Sequence, residues 1–424
     1  MNSKNTIQKS VKDKKSPWIW IPTLYFAEGL PYVLVMTVSV IMYKNLGISN
    51  GDIAFYTSWL YLPWVIKPFW SPLVDLLKTK RWWIASMQML IGVGLAGIAF
   101  FIPTNYFFQT TLAFFWLLAF SSATHDIAAD GFYMLALKEN EQSLFVGIRN
   151  TFYRIATVTG EGLLVMLAGF LSTKISNVAY AWSLTFFITS GLFLVIFAYH
   201  QFQLPKPKID VQHSLQNFGE LFVSFFKKKN IIISFLFLLL YRLGEAQLAK
   251  LAAPFLLDSV DIGGLGVSTE NVGLIKGTIG VVALLAGGIL GGIVVAKNGL
   301  KTWLWPMALL MNLPNLIYVY FAYVQPQSLW IIASGVAFEQ FGYGFGFTAF
   351  TLYLIFMSQG EFKTAHYAIG TGIMALGMML PGMFAGSVQE SIGYGPFFIW
   401  VCLCTIPGFI LLRFLKIDNE FGKK

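Results

Sequence analysis

The stretch LAFFWLLAFSSATHDIAADGFYMLAL, residues 112–137, places a His and two Asp residues inside a run that is otherwise apolar. The run exceeds the ~20 residues that a helix needs to cross a bilayer. An ionisable side chain at the bilayer centre costs about 2.5–3.5 kcal/mol on insertion scales. A chain accepts that cost where the group has a partner, water or a function.

Similar runs recur throughout the 424 residues. The sequence is 56% hydrophobic and 17% aromatic, with 12% charged residues, about half the charged share of an average soluble chain. Too few polar side chains remain to coat a globule. The chain therefore reads as an all-α integral membrane protein, because continuous apolar runs select helices over the alternating strands of a barrel. Hydropathy gives twelve spans: 18–42, 52–74, 82–102, 108–137, 144–172, 178–200, 230–257, 268–296, 302–323, 328–357, 363–389 and 394–413.

Lys and Arg set the orientation. They crowd the N-terminal tail (Lys4, Lys9, Lys12, Lys14, Lys15), the even-numbered loops and the C-terminal tail, whereas the opposite loops hold Lys44 and Lys174. This asymmetry predicts that both termini are cytoplasmic. It also accounts for most of the formal charge of +9, so the basic balance implies no nucleic-acid partner. Residues 1–17 read as a cytoplasmic tail before an uncleaved first span. Residues 201–229 begin with the stiff segment QLPKPKID and continue with Leu215, Phe218, Leu221, Phe222, Phe225 and Phe226 at helical spacing. An amphipathic helix on the inner leaflet is expected there, between six-span halves at 18–200 and 230–415, with a short tail at 416–424. Cys402 and Cys404 lie two apart in the last span and point in different directions on a helix. Neither a disulfide nor a metal site is expected, and no cofactor is implied.

The ionisable residues are unevenly distributed. Spans 3, 6 and 9 have none, and span 12 has only Arg413 at its inner edge. The other eight carry them, which predicts two six-helix bundles with those four helices outermost and the rest lining a shared aqueous path. A rise of about 1.5 Å per residue puts Glu28, Asp126, Arg154, Arg242, Lys276 and Glu339 near mid-depth, with Glu245 slightly further out. Asp130 and Arg149 are shallower. Asp126 is thus expected to pair with Arg154, and Asp130 with Arg149; a purely structural ion-pair network between spans 4 and 5 would use the same residues.

A buried carboxylate can load a proton near neutral pH, so Glu28, Asp126 and Glu339 are candidates for proton coupling. Arg154, Arg242, Glu245 and Lys276 are candidates for binding an anionic or zwitterionic solute. His125 reads as hydrogen-bonded packing. GGILGG (287–292) pairs Gly287 with Gly291 and Gly288 with Gly292, spacing suited to close helix contact. GYGFGF (342–347) follows no strand and reads as a closely packed helix rather than a phosphate loop. A membrane-embedded enzyme using His125 and Asp126 lacks a second His or a Cys nearby.

The loop KPFWSPLVDLLKTKRWW (67–83) resembles the signature joining helices 2 and 3 in the major facilitator superfamily of transporters, with Asp75, Lys80 and Arg81 as gating residues alongside Asp130 and Arg149. More narrowly, EGLPY (28–32), LPWVIKPFWSPLVD (62–75), HDIAADGFYMLAL (125–137) and GIRNTFYRIATVTGEG (147–162) resemble the AmpG-type muropeptide permeases and the related acetyl-coenzyme A transporters. In two respects the sequence departs from that group: the fuller permeases carry further C-terminal spans, and Gly131-Phe132-Tyr133 replaces their acidic-aromatic-basic continuation. The resemblance implies a multi-pass protein of a bacterial inner membrane, and a monomer is expected. It would take up N-acetylglucosaminyl-anhydromuropeptides with protons, by alternating access, for cell-wall recycling. Siderophore import is the alternative within the same broad group.

Overall fold

The computed structural model describes residues 15–206, 218–360 and 362–423. The tail lysines Lys4, Lys9, Lys12 and Lys14, the linker residues Lys208 and Leu215, and Lys424 lie outside them. Among the described residues the regular structure is helical, without a strand. Helices satisfy every backbone group internally, as hydrocarbon demands.

Among the described residues, eleven helices are long and apolar enough to cross a membrane. In chain order the spans are α1 (Pro17–Asn45), α2 (Asn50–Trp59 with Leu62–Leu77), α3 (Lys80–Phe101), α4 (Phe107–Ala136), α5 (Leu144–Ile175) and α6 (Val178–Gln203), then α7 (Ile231–Leu257), α8 (Thr269–Asn298), α9 (Leu300–Val324), α10 (Leu329–Ser358), α11 (Ala365–Ile392) and α12 (Tyr394–Leu412). The twelfth is α2, which is interrupted at Leu60–Tyr61 where a continuous span 52–74 is expected. Pro63 explains the break: it offers no N–H to the carbonyl of Trp59 and fits the first turn of a new helix. Polar caps mark other starts. Ser49 accepts from the Asp52 N–H at 3.1 Å, and Thr79 accepts from the Trp82 N–H at 3.2 Å.

The described residues pack as two compact units, 15–33, 69–157 and 183–206 in one and 34–68, 158–182, 218–360 and 362–423 in the other. The second unit takes up α1 at Leu34 and α5 at Val158, and each of those residues begins a π-helical segment, Leu34–Val38 and Val158–Leu164. A third π segment, Gly273–Gly280, lies in α8. Such bulges frequently occur at functional sites.

The first unit has a core around Trp20, Leu24, Tyr25, Ile84 and Phe132. A buried polar chain crosses it. Thr23 Oγ1 is 2.8 Å from His200 Nε2, His200 Nδ1 is 3.0 Å from Gln88 Oε1, and Gln88 Nε2 is 3.0 Å from His125 Nε2. His125 is therefore a packing residue that joins α4 to α3 and, through Gln88, to α6. Ser183 and Ser190 on α6 donate to the carbonyls of Ala99 and Gly92 on α3.

The second unit has an aromatic core in which Tyr241 stacks on Phe350 at 5.3 Å and Phe237 meets Tyr353 edge-on at 4.9 Å. The glycines of α10 bring three spans together. A Cβ on Gly344 would fall 2.0 Å from the Leu284 carbonyl of α8, and one on Gly342 would fall 2.1 Å from the Leu310 carbonyl of α9. Gly287 meets the Phe341 carbonyl just as closely, and Gly291 is also tight against α10, whereas Gly292 touches nothing within 4 Å. Only one of the two small-residue pairs in GGILGG is therefore a close contact. Between the halves, the short helix Phe218–Phe226 buries Phe225 beside His366 of α11 and leaves Val223 and Phe226 exposed.

Candidate functional site

In the first unit, Arg149 Nη2 of α5 lies 2.9 Å from Asp130 Oδ1 of α4, as expected from depth alone. Tyr25 of α1 donates to the same oxygen at 3.2 Å. The guanidinium lies 4.5 Å from the centre of the Tyr25 ring and 5.2 Å from that of Tyr133, so two aromatic faces add cation–π attraction. Glu28 follows Tyr25 by three residues and shares its face. Its charge acts on both Arg149 and Tyr153, and Glu28 is itself buried. A Cβ on the adjacent Gly29 would lie 2.9 Å from the Tyr153 carbonyl, so EGLP is where α1 meets the backbone of α5.

Asp126 and Arg154 both act electrostatically on Tyr153. No ion pair within 4 Å joins them among the described residues, which differs from the expected direct pairing. Glu28, Asp126, Tyr153 and Arg154 therefore form one polar set drawn from α1, α4 and α5.

The second unit carries a counterpart set. α7 is interrupted at Tyr241–Arg242, between Ile231–Leu240 and Leu243–Leu257. Arg242 sits at that break, donates to the Tyr343 hydroxyl, and lies 4.9 Å from the centre of the Phe347 ring. Glu245 occupies the first turn of the following helix, where free N–H groups favour a carboxylate. Lys276 comes from the π segment of α8 and Glu339 from α10. The charges of Glu339, Arg242 and Lys276 all act on Glu245, and that of Lys276 acts on Glu339. Gln340 Nε2 donates to Glu339 Oε2 at 2.9 Å, and Tyr318 of α9 senses both carboxylates. Arg242, Glu245 and Glu339 are buried, and Glu245 Oε2 has no hydrogen-bond partner among the described residues. Two acids and two bases from three spans, all buried but the half-buried Lys276, thus form a charge-balanced cluster beside a helix break, the kind of place where transporters bind solutes and ions.

A third cluster in the same unit ties together the loops that the sequence places opposite the Lys-rich side. Lys44 Nζ at the end of α1 is 2.6 Å from Asp258 Oδ1 at the end of α7. Tyr394, which opens α12, donates to Asp258 Oδ2 at 2.6 Å. Asn50, which opens α2, accepts from Lys44 at 2.9 Å and donates to Gln389 of α11 at 2.7 Å and to the Tyr394 hydroxyl at 2.8 Å. The Gly51 N–H donates to Glu390 at 2.8 Å. Gly386 allows this approach, because a Cβ there would fall 1.9 Å from the Asn50 carbonyl. Deeper in the same unit, α5 and α8 also touch through glycine: a Cβ on Gly277 would fall 2.0 Å from the Glu161 carbonyl. Spans from both halves of the sequence are therefore locked together on this side.

The sequence does not single out this lock. Lys44 reads there as an ordinary loop lysine, and Asn50, Asp258, Gln389 and Tyr394 are single polar residues at span ends. Lys250 of α7 also lacks an assigned role. It is buried, donates to Thr57 Oγ1 at 2.9 Å and lies 5.3 Å from the centre of the Tyr61 ring, at the break in α2.

Of the remaining gating candidates, Asp75 lies in the second segment of α2, and its side chain is outside the described residues. Lys80 is buried at the start of α3, with its Cε 2.7 Å from where a Cβ on Gly131 would stand. Arg81 donates to the Gln201 carbonyl at the end of α6. The start of α3 is thereby braced against both α4 and α6.

The sequence profile described as Major Facilitator Superfamily matches residues 23–386. The chain is 27% identical over 415 residues to the anhydromuropeptide permease of Escherichia coli (strain K12), covering 94% of this chain and 80% of that one. It is 26% identical over 432 residues to the putative transporter AmpG 4 of Rickettsia conorii, covering 97% and 98%. Among solved structures, the nucleoside transporter NupG superposes with a TM-score of 0.71 at 15% identity, over 94% of this chain and 99% of that chain. The D-xylose–proton symporter superposes at 0.70 and 11% identity, over 96% and 99%. At these identities the structural likeness speaks for the fold.

Proposed function

The chain belongs to the major facilitator superfamily, and from that premise we propose that it imports an N-acetylglucosaminyl-anhydromuropeptide together with protons by alternating access. Similarity over 94% of this chain and 80% of a protein named anhydromuropeptide permease supports the substrate class. The Lys and Arg asymmetry supports a bacterial inner membrane with both termini cytoplasmic.

The observation that carries the reading is the buried cluster of Arg242, Glu245, Lys276 and Glu339. The peptide part of such a solute bears carboxylates and an ammonium group. Arg242 and Lys276 receive the carboxylates, with arginine able to do so bidentately, and Glu245 receives the ammonium. Glu28, Asp126 and Glu339 take up protons, which removes the cost of moving bare carboxylates while the solute's charge is present. Lys44, Asp258, Asn50, Gln389 and Tyr394 close one face and must separate when that face opens. Asp75, Lys80, Arg81, Asp130 and Arg149 serve the gate at the other face. A single chain with its solute and protons in the lipid bilayer suffices.

The test is uptake of a radiolabelled disaccharide tripeptide into proteoliposomes with an imposed pH gradient. Saturable accumulation that disappears when the gradient is collapsed is expected. Uptake of a ferric siderophore in place of the muropeptide would overturn the substrate assignment.

A further inference from the structure

Away from these clusters, a cavity of about 220 Å³ opens among the first residues of α7 and the last residues of α10 and α12. Lys228, Lys229, Asn230, Ser234, Tyr353 and Lys416 line its polar side, and Phe356, Phe414 and Leu415 line its apolar side. Because three spans begin or end here, at Ile231, Ser358 and Leu412, the cavity lies at headgroup depth rather than in hydrocarbon.

The three lysines differ in what they do. Lys228 Nζ donates to the carbonyls of Met357 at 2.7 Å and Gln359 at 2.6 Å, which holds it against the C-terminal end of α10 and offsets the negative pole there. Partial burial pulls its pKa below the ordinary lysine value, and a nearby anion would relieve that penalty. Lys229 and Lys416 are exposed and have no acceptor among the described residues. Ser234 and Tyr353 share one hydrogen bond at 2.7 Å, so one of their two hydroxyl protons remains available. Beside the opening, Ile232 and Phe414 are exposed apolar side chains suited to acyl chains.

We propose that this cavity binds the phosphate headgroup of an anionic phospholipid, with Lys229 and Lys416 as its principal cationic contacts and Ser234 or Tyr353 as a neutral donor. The apolar rim and the headgroup depth favour a lipid over a free phosphate. The site lies on the Lys-rich side of the chain and is independent of which solute is carried.

Native mass spectrometry of the full-length protein tests this with phosphatidylglycerol and phosphatidylcholine of matched acyl chains. The wild type should retain phosphatidylglycerol on the order of tenfold more than phosphatidylcholine, and Lys229→Gln with Lys416→Gln should abolish the preference. The corresponding pair Lys229→Arg and Lys416→Arg should preserve it, which separates lost charge from lost fold. Millimolar inorganic phosphate should leave the bound lipid in place. Equal retention of both lipids, an undiminished preference in the Gln pair, or displacement by inorganic phosphate alone would each overturn the proposal.

Discussion

Lys44 Nζ lies 2.6 Å from Asp258 Oδ1, joining the end of α1 to the end of α7 through a largely buried ion pair. The two residues are far apart in sequence and belong to opposite halves of the chain. Their pairing, with Asn50 and Tyr394 bonded to the same carboxylate neighbourhood, makes this face a latch rather than a set of independent loops.

Asp258→Asn should loosen that latch. Losing one partner of a buried pair costs about 3–5 kcal/mol, and here the cost falls on the latched arrangement. Ala54 is buried on α2 just inside the cluster. A cysteine at Ala54, in a chain whose Cys402 and Cys404 are replaced by Ser, should react at least about tenfold faster with an impermeant maleimide after Asp258→Asn. Unchanged labelling would show that the pair holds nothing shut.

Gly386→Ala tests the same contact by steric means. Its Cβ would sit 1.9 Å from the Asn50 carbonyl, and overpacking of this kind costs about 1–3 kcal/mol. The expected result is a lower melting temperature together with faster labelling at position 54. Gly292→Ala, where a Cβ meets nothing within 4 Å, should change neither.

For Arg149, packing should outweigh charge. The side chain of Asp130 is 40% exposed and that of Arg149 is 25% exposed, so screening limits the ion pair to about 0.2–1 kcal/mol. The two ring contacts add about 0.5–1 kcal/mol each. Arg149→Lys keeps the charge but loses the planar face, and should destabilise the protein more than Asp130→Asn in a reversible detergent-unfolding titration. The reverse order would show that the ion pair dominates.

Lys250 is held by one hydroxyl and one ring, poor compensation for a buried ammonium. Lys250→Met should therefore leave the melting temperature unchanged or raise it in a thermal melt of the purified protein. A marked fall would show that the hydroxyl and the ring compensate the ammonium fully.

The membrane fold is legible in the sequence because long apolar runs and the Lys and Arg bias act locally, one span at a time. Asp130 and Arg149 are legible as a pair because they lie at equal depth on neighbouring spans. Asp126 and Arg154 share a depth too, but depth says nothing about azimuth, and both charges act on Tyr153. The break in α2 leaves a cue in Pro63, whereas the break at Arg242 leaves none, since Tyr241 and Arg242 are both acceptable helix formers. The latch is hidden for a different reason: Asn50 lies 208 to 344 positions from Asp258, Gln389 and Tyr394, and each member alone is an ordinary polar residue at a span end.

The most direct test of the central claim, that the buried acid–base cluster couples solute to protons, compares accumulation with exchange in proteoliposomes. With an acid-outside gradient the wild type should concentrate the radiolabelled muropeptide. Glu339→Gln should still exchange labelled for unlabelled muropeptide at equal concentrations, yet fail to concentrate it under any pH gradient. Gradient-driven accumulation by Glu339→Gln at the wild-type level would contradict the account.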